Sequence, residues 1–226
     1  MKKILLLVFL SIYHLDASTA WSAKIDRLYG RPSLPLHIKY YEVDAGNKVM
    51  LNPYLQVATK KNKAVLDPAC PAYNWVIDVQ GYLRVISIVP HPRGRKYSGS
   101  YTRPEDGYTR TRGYIEKYGH VSALAGGPGR IGGEIINDFK NKNWVINNKS
   151  GRYSRGNPDR LPRQLLNAAA LIRSVVEGGG QEWGAVVYLL DYAPKTFREQ
   201  QLSNPLVRFG NPETKHLPYL LLDFDW

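Results

Sequence analysis

Along the chain, short alternating or β-branched apolar runs are separated by turn residues, and only one stretch keeps helical spacing. His37-Ile38-Lys39-Tyr40-Tyr41-Glu42-Val43 alternates apolar and polar side chains, which predicts a half-buried strand followed by a turn at Asp44-Ala45-Gly46-Asn47-Lys48. Trp75–Val79 and Tyr82–Val89 flank Gln80-Gly81 and predict a hairpin. Gly133–Ile136 and Asn143–Asn147 predict a second, with Asn137-Asp138 and Asn141-Lys142 as turn chemistry. Leu161, Leu165, Ala169, Ile172 and Val176 recur at the helical period. Asn157 as cap and Pro158 at the first helical position would start that helix, and Gly178-Gly179-Gly180 would stop it. Trp183–Leu190 and Tyr219–Phe224 predict two more strands. The class is therefore α+β: a mainly antiparallel, strongly twisted sheet or partial barrel with one principal helix at about 159–177.

Composition narrows this further. The chain has 226 residues, 43% hydrophobic and 22% charged, so it can bury one core and is not disordered, collagen-like or a disulfide scaffold. Cys70, the single cysteine, has no partner in the chain and lies between Pro68 and Pro71, where a buried small hydrophobe is the expected role. Lys2 and Lys3 precede the apolar run Ile4–Tyr13, and small residues follow at Ser18–Ala23. Such a run spans about 15 Å as a helix, half of a roughly 30 Å hydrocarbon core, so it is too short for an anchor. Residues 1–22 read as a cleaved signal peptide and 23–226 as a single globular domain. The expected destination is the bacterial periplasm or the exterior through Sec-type export, with no membrane span.

Charge adds a candidate interaction surface. Formal net charge is +12, and removing Lys2, Lys3 and Asp16 with the leader leaves +11. Nearly half of it falls between Arg84 and Lys117, where basic residues are interleaved with Tyr97, Tyr101, Tyr108, Tyr114 and Tyr118. Segment 90–119 is expected to be a basic, Tyr/Arg-rich loop. Guanidinium and aromatic groups together suit phosphates and planar rings, which makes Arg110 and Arg112 candidate ligand contacts and nucleic acid a candidate partner. A solvated surface loop of the same composition remains the alternative.

Two motifs carry candidate chemistry. In Gly119-His120-Val121-Ser122-Ala123-Leu124-Ala125-Gly126-Gly127, a strand would place His120 and Ser122 on one face as base and nucleophile. In Ile146-Asn147-Asn148-Lys149-Ser150-Gly151-Arg152-Tyr153, a tight turn would supply donors for an anion or a carbonyl. No metal site is expected: His37, His91, His120 and His216 have no ligand spacing, and one cysteine cannot build a zinc centre.

Taken in order, the His-x-Ser-x-Leu-Ala-Gly-Gly run at 120–127, Gly133-Glu134, the Asn-x-Ser-Gly-Arg-Tyr run at 148–153 and the following helix resemble a module of bacterial toxins and effectors. That module lies in their C-terminal regions, and a similar block occurs in plant IQ-motif calmodulin-binding proteins. The resemblance covers 113–176. It implies one pocket, with His120, Ser122 and Glu134 as catalytic residues and Asn148, Ser150, Arg152 and Tyr153 as ligand contacts. The chain departs from the pattern at Arg152, where the family usually has histidine, and the proline expected after Tyr153 is replaced by Arg155, with Pro158 three residues later. Arg152 would then serve as an anion grip.

The expectation is a secreted toxin- or effector-like protein acting on or binding an anionic, nucleotide-like ligand. ADP-ribosyl transfer, with NAD, and nuclease chemistry are the reaction classes that fit; otherwise no cofactor is expected. The alternative is a non-catalytic module that attaches to an anionic polymer or host protein through the Arg/Tyr loop.

Overall fold

A computed structural model describes residues 19–39, 42–87, 119–200, 207–209 and 219–222. Most of the predicted leader and the basic loop, with Arg110 and Arg112, lie outside the described residues.

The chain is α+β. A first helix, α1, covers 19–29. It is followed by β1 (Gln56–Ala58), β2 (Ala64–Val65), β3 (Ala72–Asp78), β4 (Leu83–Ser87), a short 3-10 turn (His120–Ala123), β5 (Gly129–Asp138) and β6 (Asn143–Asn147). Then come α2 (Pro162–Val175), β7 (Val176–Glu177), β8 (Glu182–Leu189), α3 (Lys195–Gln200), β9 (Val207–Phe209) and β10 (Tyr219–Leu222). Eight strands form one open sheet in the order β1-β4-β3-β5-β6-β8-β10-β9, while β2 and β7 pair separately. Within the large sheet every neighbouring pair is antiparallel except β6 and β8. That exception follows from connectivity, because α2 joins β6 to β8 and returns the chain in the same direction.

Both predicted hairpins are present. In the first, Asp78 Oδ1 accepts from Gln80 N at 3.0 Å and Tyr82 N at 2.9 Å. Gly81 takes φ +88°, a conformation L side chains avoid. In the second, Asp138 accepts from the N–H groups of Lys140 and Asn141.

The principal helix starts later than predicted. Pro162, not Pro158, occupies the first position, and Gln164 Oε1 accepts the Leu161 N–H at 3.1 Å. Asn157 instead donates from Nδ2 to Tyr153 O. Both prolines suit a helix start, and the Gln164 side chain selects the second. The predicted strand over 37–43 is also absent from the described residues of that stretch, apart from a single bridge between Val43 and Val49. Glu42 turns inward with its backbone N–H on Lys39 O, which breaks the alternation.

Alternation within the strands separates two faces. Tyr73, Trp75 and Ile77 of β3, with Ile135, Ile146 and Tyr188 from other strands, pack against Leu165, Ala169 and Ile172 of α2 in the main core. On the other face Val76 and Ile86 are covered by Ala123 and Tyr153. Beside that small cluster the face turns polar: Asn74 lies in register with Glu134, and Asn147 stands opposite Glu134, one position beyond the Ile135–Ile146 pair.

Two buried arginines fasten the N-terminal segment to the sheet. Arg130 pairs with Asp26 and donates to Gly30 O at 2.7 Å and to Val79 O. Arg160 donates to Tyr153 O at 3.0 Å and Arg31 O at 2.8 Å. Ile25 is buried in the fold, so packing begins immediately beyond the predicted leader.

Candidate functional site

The polar face owes its shape to a mismatch in strand length. β5 begins at Gly129, yet its pairing with β6 covers only Ile135–Asp138, so the backbone of 132–134 lacks a strand neighbour on that side. Side chains take over the missing bonds. Asn147 Oδ1 accepts from Glu134 N at 3.1 Å, His120 Nε2 meets Gly133 O at 2.9 Å, and Ser154 Oγ accepts from Gly132 N at 3.1 Å while donating to Gly132 O. Gly133 must be glycine here, since a Cβ would lie 1.8 Å from Asn147 O.

His120 and Ser122 do not share a strand face. They lie on a 3-10 turn, His120–Ala123, where positions two apart point in different directions. Ser122 Oγ donates to Gly119 O at 2.8 Å and is fully buried, so its hydroxyl closes the turn and is not the partner of an attacking base. His120 reaches the sheet. A carbonyl oxygen only accepts, so the Nε2 facing Gly133 O carries the proton and Nδ1 is left as an acceptor. No described residue bonds that Nδ1. Burial pushes the imidazole pKa down to about 4; the charges of Arg152 and Lys149 push the same way, and the Gly133 bond opposes them. At neutral pH His120 is uncharged.

Glu134 is 6% exposed. Its contacts are long: Lys149 Nζ lies 3.6 Å from Oε1 and Asn147 Nδ2 lies 3.5 Å from Oε2. Burial raises its pKa, and Lys149 and Asn147 pull the other way. Tyr192 lies close enough to feel the Glu134 charge, although burial is the main reason its hydroxyl is raised. His120, Glu134 and Lys149 therefore converge at one place, and Asn147 braces the carboxyl while accepting the Lys149 N–H at 2.8 Å.

The remaining predicted residues serve the frame. Asn148 extends β6 with its side chain, accepting from Leu189 N at 2.6 Å and donating to Leu189 O at 3.3 Å. Ser150 Oγ accepts from Tyr153 N at 3.2 Å. Tyr153 fills the small cluster and donates to Gly127 O at 2.9 Å, and burial raises its hydroxyl pKa. Arg152, expected as an anion grip, is spent inside the fold: it donates to His37 O and pairs with Glu42 Oε1 at 2.9 Å. Of the basic residues counted from 84 to 117, Arg84 is described, and it is held by Asp78 at 2.7 Å.

Three residues at this place were not among the sequence candidates. Lys149 lies inside the motif, where Arg152 is the more obvious anion grip. Asn147 gave no signal beyond turn chemistry. Asn74 did give one: it is a lone amide in a strand whose every residue is buried. Among the described residues no group of three His, Cys, Asp or Glu side chains could hold a metal ion, and no helix is long and apolar enough to cross a membrane. No protein-family model matches the chain, and neither a curated protein nor a solved structure matches it.

Proposed function

We propose that His120, Glu134 and Lys149 form the working site of an exported, toxin- or effector-like protein that binds an anionic, nucleotide-like ligand and acts on it by acid–base chemistry. The observation that carries this reading is a buried carboxyl whose described partners stand 3.5 and 3.6 Å away, sharing Lys149 with a neutral imidazole whose Nδ1 no described residue bonds. Roles follow from the direction of each shift. An imidazole whose conjugate acid lies near 4 is a weak base, so His120 first acts as a hydrogen-bond acceptor that orients the ligand. Glu134, with its pKa raised, is the better proton carrier at neutral pH. Lys149 takes the anion role expected of Arg152, and a ligand anion beside His120 would raise the imidazole pKa and strengthen it as a base.

Export is supported by the leader-like sequence and by the place where packing starts, since Ile25 and Asp26 would both remain in the mature chain. A second reading, a non-catalytic module that attaches to an anionic polymer or host protein, is favoured by one observation: Ser122 and Arg152 are both committed to internal bonds.

Incubation of the protein with NAD, and separately with RNA and DNA, separates the two. Turnover of one of these that falls at least tenfold in Glu134→Gln and Lys149→Ala is the expected result. Salt-sensitive binding without turnover, unchanged in Glu134→Gln, would favour the binding module.

A further inference from the structure

Asn74 occupies the middle of β3, between Tyr73 and Trp75, which face the main core. Its own side chain belongs to the opposite face. There it is in register with Glu134 on β5 and with Ile86 on β4. Asn74 is 4% exposed, and its Oδ1 is buried with no hydrogen-bond partner among the described residues. Leaving a buried carboxamide oxygen unpaired is strongly disfavoured, and native interiors rarely do it. Neither strand neighbour satisfies it: Ile86 has no donor, and Glu134 as a carboxylate, the form that Lys149 and Asn147 favour, only accepts. Cross-strand neighbours place their Cβ atoms about 4.5–5.5 Å apart. Among the described residues the Asn74 oxygen and the two Glu134 oxygens, whose partners there stand at 3.5 and 3.6 Å, therefore form a row of acceptors short of donors.

Charge decides what kind of donor fits. Lys149 already offsets Glu134, and Glu42 offsets Arg152, so a cationic ligand would leave positive charge in excess. A neutral donor adds none. The Asn74 amide also carries N–H groups, and its oxygen and nitrogen can exchange places by a flip. Its complement is a planar group with an N–H beside a C=O, which makes two parallel hydrogen bonds.

We infer that Asn74 is a specificity-determining residue that, together with Glu134, binds the amide edge of the ligand: a neutral primary carboxamide or the amide-like edge of a nucleobase. This rests on the reading of Glu134 and its neighbours as the working site.

Titration of the 15N-labelled protein with benzamide, benzoate and benzamidine tests it, with adenosine monophosphate as a separate probe of the anion-binding part. Benzamide is expected to shift the Asn74 side-chain amide resonances saturably, while benzoate and benzamidine do not. Asn74→Leu, similar in volume, should weaken benzamide at least tenfold. Asn74→Asp, which keeps the shape and adds a charge, should lose benzamide and gain benzamidine. Benzamide that fails to bind, or that binds Asn74→Leu and Asn74→Asp as well as the unmodified chain, overturns the inference. In that case adenosine monophosphate binding that still weakens in Lys149→Ala leaves the proposed site standing. Absence of both bindings removes the site as well.

Discussion

Arg152 pairs with Glu42 Oε1 at 2.9 Å, and both side chains are buried. The ion pair joins the loop after β6 to the segment before β1, and Arg152 lies near enough to His120 for its charge to lower the imidazole pKa. Removing one partner of such a pair leaves the other charge uncompensated in the interior. Arg152→Ala should lower stability by about 3–5 kcal/mol, and the double change Arg152→Met with Glu42→Gln should recover much of that loss. Urea unfolding of the two variants beside the unmodified protein measures both effects. A small loss in Arg152→Ala would mean that the arginine is free to face a ligand after all.

Acid should weaken the fold through His120. Its pKa is pushed down from 6.5 to about 4, so the unfolded chain binds the proton more readily than the folded one. This contribution is unchanged above the unfolded value. As pH falls from 6.5 to about 4 stability drops, by up to about 3 kcal/mol at the conversion of 1.36 kcal/mol per pKa unit. Thermal unfolding across this range should show a flatter acid limb in His120→Gln than in the unmodified protein. An unchanged limb would place the imidazole in a more solvated setting than described.

Asn148 acts as a piece of backbone. It accepts from Leu189 N and donates to Leu189 O, so the two halves of its amide are not interchangeable. Asn148→Asp keeps the acceptor but turns a carboxylate oxygen toward the Leu189 carbonyl, and should cost about 2–3 kcal/mol or more. Ser154→Ala frees both the N–H and the C=O of Gly132 in the interior, and should cost a comparable amount. Differential scanning calorimetry of both variants checks this. If either is neutral, the bond to the strand is not needed there.

Gly133→Ala is expected to be the most damaging single change to the site, because the new Cβ would meet Asn147 O at 1.8 Å and the Trp75 ring at 2.8 Å. Either β6 or β5 must move, and Asn147 and Lys149 would leave Glu134 with it. Soluble yield and near-ultraviolet circular dichroism read the outcome. A folded variant with native dichroism would show that the two strands can separate locally.

How far these features could be read in advance depends on where their physics lies. Hairpins around Gly81 and around 139–142 were legible because turn residues and β-branched runs are local signals. The periodicity of α2 was legible too, but its start was not, since Asn157-Pro158 and Leu161-Pro162 are both plausible and only the Gln164 side chain decides. The geometry of the His120 motif is not legible, because a strand and a 3-10 turn send His120 and Ser122 in different directions and nothing local distinguishes them. That Arg152 is committed inside the fold is hidden for a similar reason: the partner that neutralises it is Glu42, about a hundred residues away in sequence. The polar row of Asn74, Glu134 and Asn147 exists only because β3, β5 and β6 become neighbours.

In the proposed site, Glu134 is held at a cost to the fold because it works. Its pKa is raised, so between the unfolded and folded values the folded chain binds the proton more strongly, and stability falls as pH rises through that window. Burial disfavours the charged carboxyl, a burden that a neutral isostere would lift. Glu134→Gln, measured for unfolding midpoint at pH 7 and for growth inhibition when the full chain is produced in bacteria, tests this directly. The account predicts a midpoint equal to or above that of the unmodified protein, together with loss of growth inhibition. A lower midpoint with inhibition retained would contradict it.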